Sequence, residues 1–154
     1  MKANEIMKNF ASLTDEKEVE IKDANGKIQT FKVRRFASLG EMESEITAKS
    51  TGRVKAFKAN KCKLPVKIDM ADIIGLERYF PDVKPLEDGK AEIYLTSETD
   101  VSSATLIEAG VTDPEFTWAQ AAIFTRVSGV IPGLLSKEFY KFNQLEALAD
   151  AKNG

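Results

Sequence analysis

The sequence predicts an α+β fold in which an N-terminal β-hairpin packs on a mostly helical domain, and three observations carry that expectation. Residues 18–33 alternate apolar and charged side chains on either side of a "DANG" turn, the pattern of two half-buried antiparallel strands. Further along, apolar residues recur at helical spacing in several segments, each bounded by a capping or breaking residue. With 154 residues the chain suits one domain, 1–154, able to bury roughly two thirds of its unfolded surface. No linker, repeat or low-complexity stretch divides it.

The elements follow in chain order. Asn4 to Leu13 sets Ile6, Met7, Phe10 and Leu13 on one helical face, so a short amphipathic helix is expected to dock on the body of the domain or on a partner. Val19 and Ile21, then Phe31 and Val33, form the buried face of the hairpin. Ile28 has the opposite parity, which implies either a bulge or a position on the far face. After Arg34 and Arg35, Ser38 and Glu41 read as a capping box, with Leu39, Met42 and Ile46 as the buried stripe of a helix ending near Lys49. Helix, hairpin, basic corner and second helix thus make one unit over about 4–50.

Residues 53–67 hold Arg53, Lys55, Lys58, Lys61, Lys63 and Lys67 with no acidic residue among them. From Lys27 to Lys67 there are eleven basic and three acidic residues, about +8 in a chain of net charge −2, so the remainder carries about −10. Beyond this segment Asp69 can cap a helix carrying Ile73, Leu76 and Tyr79 or Phe80, stopped by Pro81, and "AEIYL" at 91–95 reads as a third strand. Asp100 or Ser102 opens a helix with Val101, Ala104 and Ile107 that Gly110 ends. Asp113 and Pro114 start another, with Phe116, Ala119, Ile123, Val127 and Val130 on one side and Trp118 roughly opposite. After "SGVIPG" a last helix aligns Leu135, Phe139, Phe142, Leu145 and Ala149, so the helical C-terminal part covers about 69–150.

The composition narrows the chemistry. With no histidine, Ser-His-Asp and Cys-His catalysis are excluded, and the usual neutral-pH base and the commonest transition-metal ligand are missing. Cys62 is the only cysteine, so no internal disulfide and no CxxC site can form. Neither GxGxxG nor GxxxxGK[ST] occurs, which leaves no phosphate-cradling loop. No enzyme activity, cofactor or metal is therefore expected. The absence of a secretory-type or bilayer-spanning apolar run predicts a cytoplasmic protein with no membrane partner.

Four constellations remain. The basic segment, with Phe57 inside it, could contact phosphates and stack a base, or form a solvated loop or a site for an acidic protein surface. Glu41, Glu43 and Glu45 suggest a cation site but lack the glycine-centred loop of calcium binders. Glu98 and Asp100 have no accompanying nucleophile or oxyanion cradle and fit helix capping better. Trp118 and Tyr140, the latter off the apolar stripe of the last helix, could anchor a protein interface.

Two segments together covering about half the chain resemble bacteriophage tail assembly chaperones. In the first, a strand, an "NGK" turn, a strand ending in "FKVRR" and then "FASLGEM" are similar to that family's opening hairpin, arginine, polar corner and helix. In the second, "AAIFTRVSGVIPGLLSKEFYKFNQL" resembles its closing helix, small-residue break with proline, and final helix. Arg35-Phe36 stands where many relatives have arginine-proline, and the basic middle has no counterpart. The resemblance implies a non-enzymatic phage or prophage protein that keeps the tape measure protein soluble while tail-tube subunits assemble. It further implies client contacts through the last helices, with the first helix as a further candidate surface and Trp118, Phe139, Tyr140 and Phe142 as candidate residues, and leaves a homo-oligomer open. Two other readings stand beside it: a nucleic-acid-binding accessory protein using 53–67, and a structural phage tail or head component.

Overall fold

The computed structural model describes residues 2–10, 16–36, 38–128 and 130–143. Its fold is α+β with an N-terminal hairpin. Strands β1 (Glu16–Lys22) and β2 (Ile28–Arg34) pair antiparallel in unbroken register, from Glu16 opposite Arg34 to Lys22 opposite Ile28. Alternation turns Val19, Phe31 and Val33 inward. Ile28 lies on the far face and is 57% exposed, so its parity reflects orientation and the hairpin needs no bulge. The irregularity lies across the other edge of β2, between Lys32 and Val33, where a short strand β6 (Val111–Asp113) joins the sheet.

One carboxylate organises the hairpin turn. Asp23 Oδ1 accepts hydrogen bonds from the backbone N–H of Asn25 at 2.8 Å and of Lys27 at 3.0 Å, and Oδ2 accepts from Gln29 Nε2 at 2.9 Å. Gly26 takes the positive φ of 80° that closes the turn. The bond from Gln29, ahead of the two backbone bonds, holds the Asp23 carboxyl below its ordinary value.

A second antiparallel sheet has the order β3 (Leu64–Asp69), β5 (Lys90–Leu95), β4 (Lys84–Pro85). The third strand expected at 91–95 is thus its central member. In the basic segment 53–67 a helix reaches Ala59 and β3 begins at Leu64, so the loop alternative holds only between them. Val66 and Ile68 alternate inward, but lysines and a proline around them mask the pattern. Nor does Asp69 start a helix: two 3₁₀ turns, Met70–Ile73 and Glu77–Tyr79, occupy that region, separated at Gly75 by a φ of 84°.

Ser38 caps α2 (Leu39–Met42) by accepting from the Glu41 N–H at 3.1 Å. A π turn (Glu43–Thr47) then leads directly into α3 (Ala48–Ala59), so helical backbone runs well past Lys49. Met42 and Ile46 are buried as expected, whereas Leu39 is 55% exposed. Helix α4 (Glu98–Gly110) is capped by Ser97, one turn before the predicted start. Helix α5 (Trp118–Val127) begins at a Thr117–Gln120 capping box, not at Pro114: the expected cap Asp113 ends β6, and a turn at Pro114 and Glu115 follows it. Helix α6 (Ile131–Phe142) carries Pro132 in its first turn.

Helix α4 packs against α3, α5 and α6. Among the described residues one buried cluster draws on both sheets and on helices α2 to α6, and α1 (Ala3–Phe10) adds none of its described side chains to it. Of the stripe expected to dock on the body or on a partner, Ile6 is 44% and Met7 66% exposed, while the Phe10 side chain lies outside what is described. Leu13, Leu145 and Ala149 lie outside the described residues.

Candidate functional site: an apolar groove at Phe124

The residues singled out from the sequence do not converge. Trp118 is half-buried beneath Arg53, whose guanidinium carbon lies 3.7 Å from the ring centroid. Arg53 also donates to Thr105 Oγ1 at 3.1 Å and sits 2.9 Å from a Glu108 carboxylate oxygen. Phe139 is fully buried and cannot touch a partner in this fold. Phe142 is half-buried under Arg35, 4.5 Å away. Tyr140 alone of the four is open, 39% exposed with its ring edge-on to Phe139.

The basic segment divides similarly. Arg53 belongs to the Trp118 site, whereas Lys55, Lys58, Lys61, Lys63 and Lys67 are exposed. Lys58 lies 3.7 Å from Glu98, and Lys63 sits over the Tyr94 ring at 4.5 Å. Phe57 is 4% exposed and part of the core, so the ring offered for base stacking faces inward. Glu41 and Glu45 both pair with Arg34, at 3.1 and 3.2 Å, and Arg34 in turn lies 4.1 Å over Phe36. Among the described residues no group of three or more His, Cys, Asp or Glu side chains could hold a metal ion. Glu98 and Asp100 occupy the first turn of α4, where burial raises the Asp100 carboxyl above its ordinary value.

A different surface emerges around α5. This helix buries Ala121, Ala122, Ile123 and Thr125, which leaves Phe124 half-exposed on its outer side. The hairpin register brings Phe31 within 6.1 Å of the Phe124 ring, and Phe116, just before the Thr117 cap, approaches from the other direction to 5.2 Å. Phe124 therefore lines two cavities at once. One, about 370 Å³, is walled by Leu76, Phe116, Ile123 and Val127, with Asp72 and Glu115 among its lining. The other, about 430 Å³, is walled by Ile21, Phe31, Val130 and Ile131, with Asp23 and Lys22 beside them.

The two cavities adjoin at Phe124, the one lining residue they share, and are apolar with ionic residues in their lining; Val130, 73% exposed, stands in the wall of the second. Such a surface suits apolar side chains presented at helical spacing. Sequence reasoning missed Phe124 because it falls between the face assigned to Ile123 and Val127 and the opposite side assigned to Trp118, on a helix with apolar residues on more than one face. That last feature was the available signal: a helix apolar on more than one face needs apolar neighbours on each.

Among the described residues no helix is long and apolar enough to cross a membrane. No family model, curated protein or solved structure matches the chain.

Proposed function

We propose that the chain is a non-enzymatic tail assembly chaperone of a phage or prophage. In the host cytoplasm it keeps the tape measure protein soluble and helps recruit tail-tube subunits around it. The observation that carries this reading is the groove at Phe124, whose three phenylalanine rings and flanking aliphatic walls match the apolar stripe of an amphipathic helix. The resemblance of the hairpin and closing segments to the chaperone family supplies the client. The groove takes over most of the client-binding role first given to Trp118, Phe139, Tyr140 and Phe142: Phe139 is core, Trp118 and Phe142 are half-buried under arginines, and Tyr140 alone stays open.

Affinity capture of the tagged protein from its native cell, after nuclease treatment, tests the proposal. A very long helical protein together with a tail-tube subunit is the expected catch. Nucleic acid with attendant proteins, lost on nuclease treatment, would overturn it. Purified virions discriminate further: the chaperone should be absent from them, and a chain retained there is a structural component.

A further inference from the structure

We propose that the lysines at the turn between α3 and β3 form a docking surface for a short acidic segment of a partner protein. This surface lines neither cavity at Phe124 and needs no client there. Between Ile46 and Ile68 the chain has no acidic residue. The fold gathers Lys55 and Lys58 from the end of α3 with Lys61 and Lys63 ahead of β3, all four exposed. The lysines of β1, by contrast, are interleaved with glutamates.

The turn is tied to the helix before it. The Asn60 backbone N–H donates to the Ala56 and Phe57 carbonyls at 3.1 and 3.2 Å. Asn60 Nδ2 donates to the Lys63 carbonyl at 2.9 Å, and the Lys63 N–H donates back to the Asn60 carbonyl at 3.2 Å. Phe57, 4% exposed, anchors the helix beneath. Ordered backbone thus presents the four charges, and a partner has only their side chains to immobilise.

Those charges are free to engage one. Among the described residues Lys55, Lys61 and Lys63 have no carboxylate within ion-pair distance. Lys58 has Glu98 at 3.7 Å, with both side chains more than half exposed, a contact that a partner carboxylate can replace at little loss. Nucleic acid is the other polyanion, and two observations disfavour it. Phe57, the one aromatic residue of the segment, faces the core and cannot stack on a base. Outside residues 27–67 the chain carries about −10, so a polyanion longer than the patch meets predominantly acidic surface beyond it, whereas a short acidic segment touches only the turn.

Fluorescence anisotropy of a short dye-labelled poly-glutamate peptide, titrated with the purified full chain, tests the proposal. The peptide should bind, more weakly as salt rises. Lys55→Gln, Lys58→Gln, Lys61→Gln and Lys63→Gln together should weaken binding about tenfold or more, while arginine at the same four positions should preserve it. A control carrying Lys2→Gln, Lys8→Gln, Lys84→Gln and Lys137→Gln, all at exposed positions, loses the same charge and should bind as the wild type does. Every substituted side chain is exposed, so an unchanged melting curve serves as the folding control. No binding of the peptide, an equal loss in both glutamine variants, or tighter binding of a dye-labelled DNA duplex than of the peptide overturns the proposal.

Discussion

Arg53 lies over Trp118, its guanidinium carbon 3.7 Å from the ring centroid, while it donates to Thr105 and pairs with Glu108 at 2.9 Å. One arginine from α3 thus ties together α4 and the first residue of α5. Two sequence candidates, the basic segment and the lone tryptophan, meet here as one structural contact. Replacing Arg53 with Met keeps the apolar stem but leaves Glu108, 22% exposed, without its cation. We expect a loss of about 1–3 kcal/mol in denaturant unfolding, with a red shift in fluorescence from the only tryptophan. An unshifted spectrum would show that Arg53 does not cover the ring.

Gly110 should resist enlargement. A Cβ at this position would stand 3.0 Å from Phe139 Cδ2 and 3.1 Å from Cε2. Phe139 is fully buried between Phe36 and Tyr140, so its ring has little room to yield. Gly110→Ala gains up to about 1 kcal/mol of helix propensity against about 1–3 kcal/mol of overpacking, and the melting temperature should fall. A rise would mean that the ring moves aside freely.

Asn143 closes the basic corner. Its Nδ2 donates to the Arg34 carbonyl at 3.1 Å and the Phe139 carbonyl at 3.0 Å, and its Oδ1 accepts from the Phe36 N–H at 3.0 Å. The end of α6 is thereby tied to the residues that follow β2. Asn143→Ala removes these partners and should cost about 1–3 kcal/mol, with hydrogen exchange at the Phe36 amide accelerating. Unchanged exchange there would show that the tie is dispensable.

The hairpin turn should weaken in acid. Because hydrogen bonds hold the Asp23 carboxyl below its ordinary value of 3.8, its contribution is fully present above that pH. It is lost as pH falls through the lower folded value. NMR titration should therefore show the Asn25 and Lys27 amides losing protection only below about pH 3.8, and Asp23→Asn should abolish that transition. Loss of protection beginning at higher pH would contradict the assignment.

The hairpin was legible because it obeys local rules: alternation gave Val19, Phe31 and Val33, and "DANG" gave the turn. Ser38 was legible as a cap for the same reason, since capping needs only residues three apart. What escaped depends on partners distant in sequence. Strand β3 exists because Val66 and Ile68 meet β5, though the surrounding lysines spell a polar segment. Glu41 and Glu45 share a helix face in the sequence, but that both pair with Arg34 shows only in the fold. Phe139 and Phe124 show the same limit at the candidate site: both are aromatic residues on apolar helices, and only tertiary packing decides that the first is core and the second lines a groove.

The most direct test of the account is client capture by the wild-type chain alongside Val130→Glu, which places a charge in the groove wall at a position 73% exposed. The wild-type chain should retain a very long helical tail protein after nuclease treatment, and Val130→Glu, folded and equally abundant, should not. Equal retention by both chains, or a catch that disappears with nuclease alone, would contradict it.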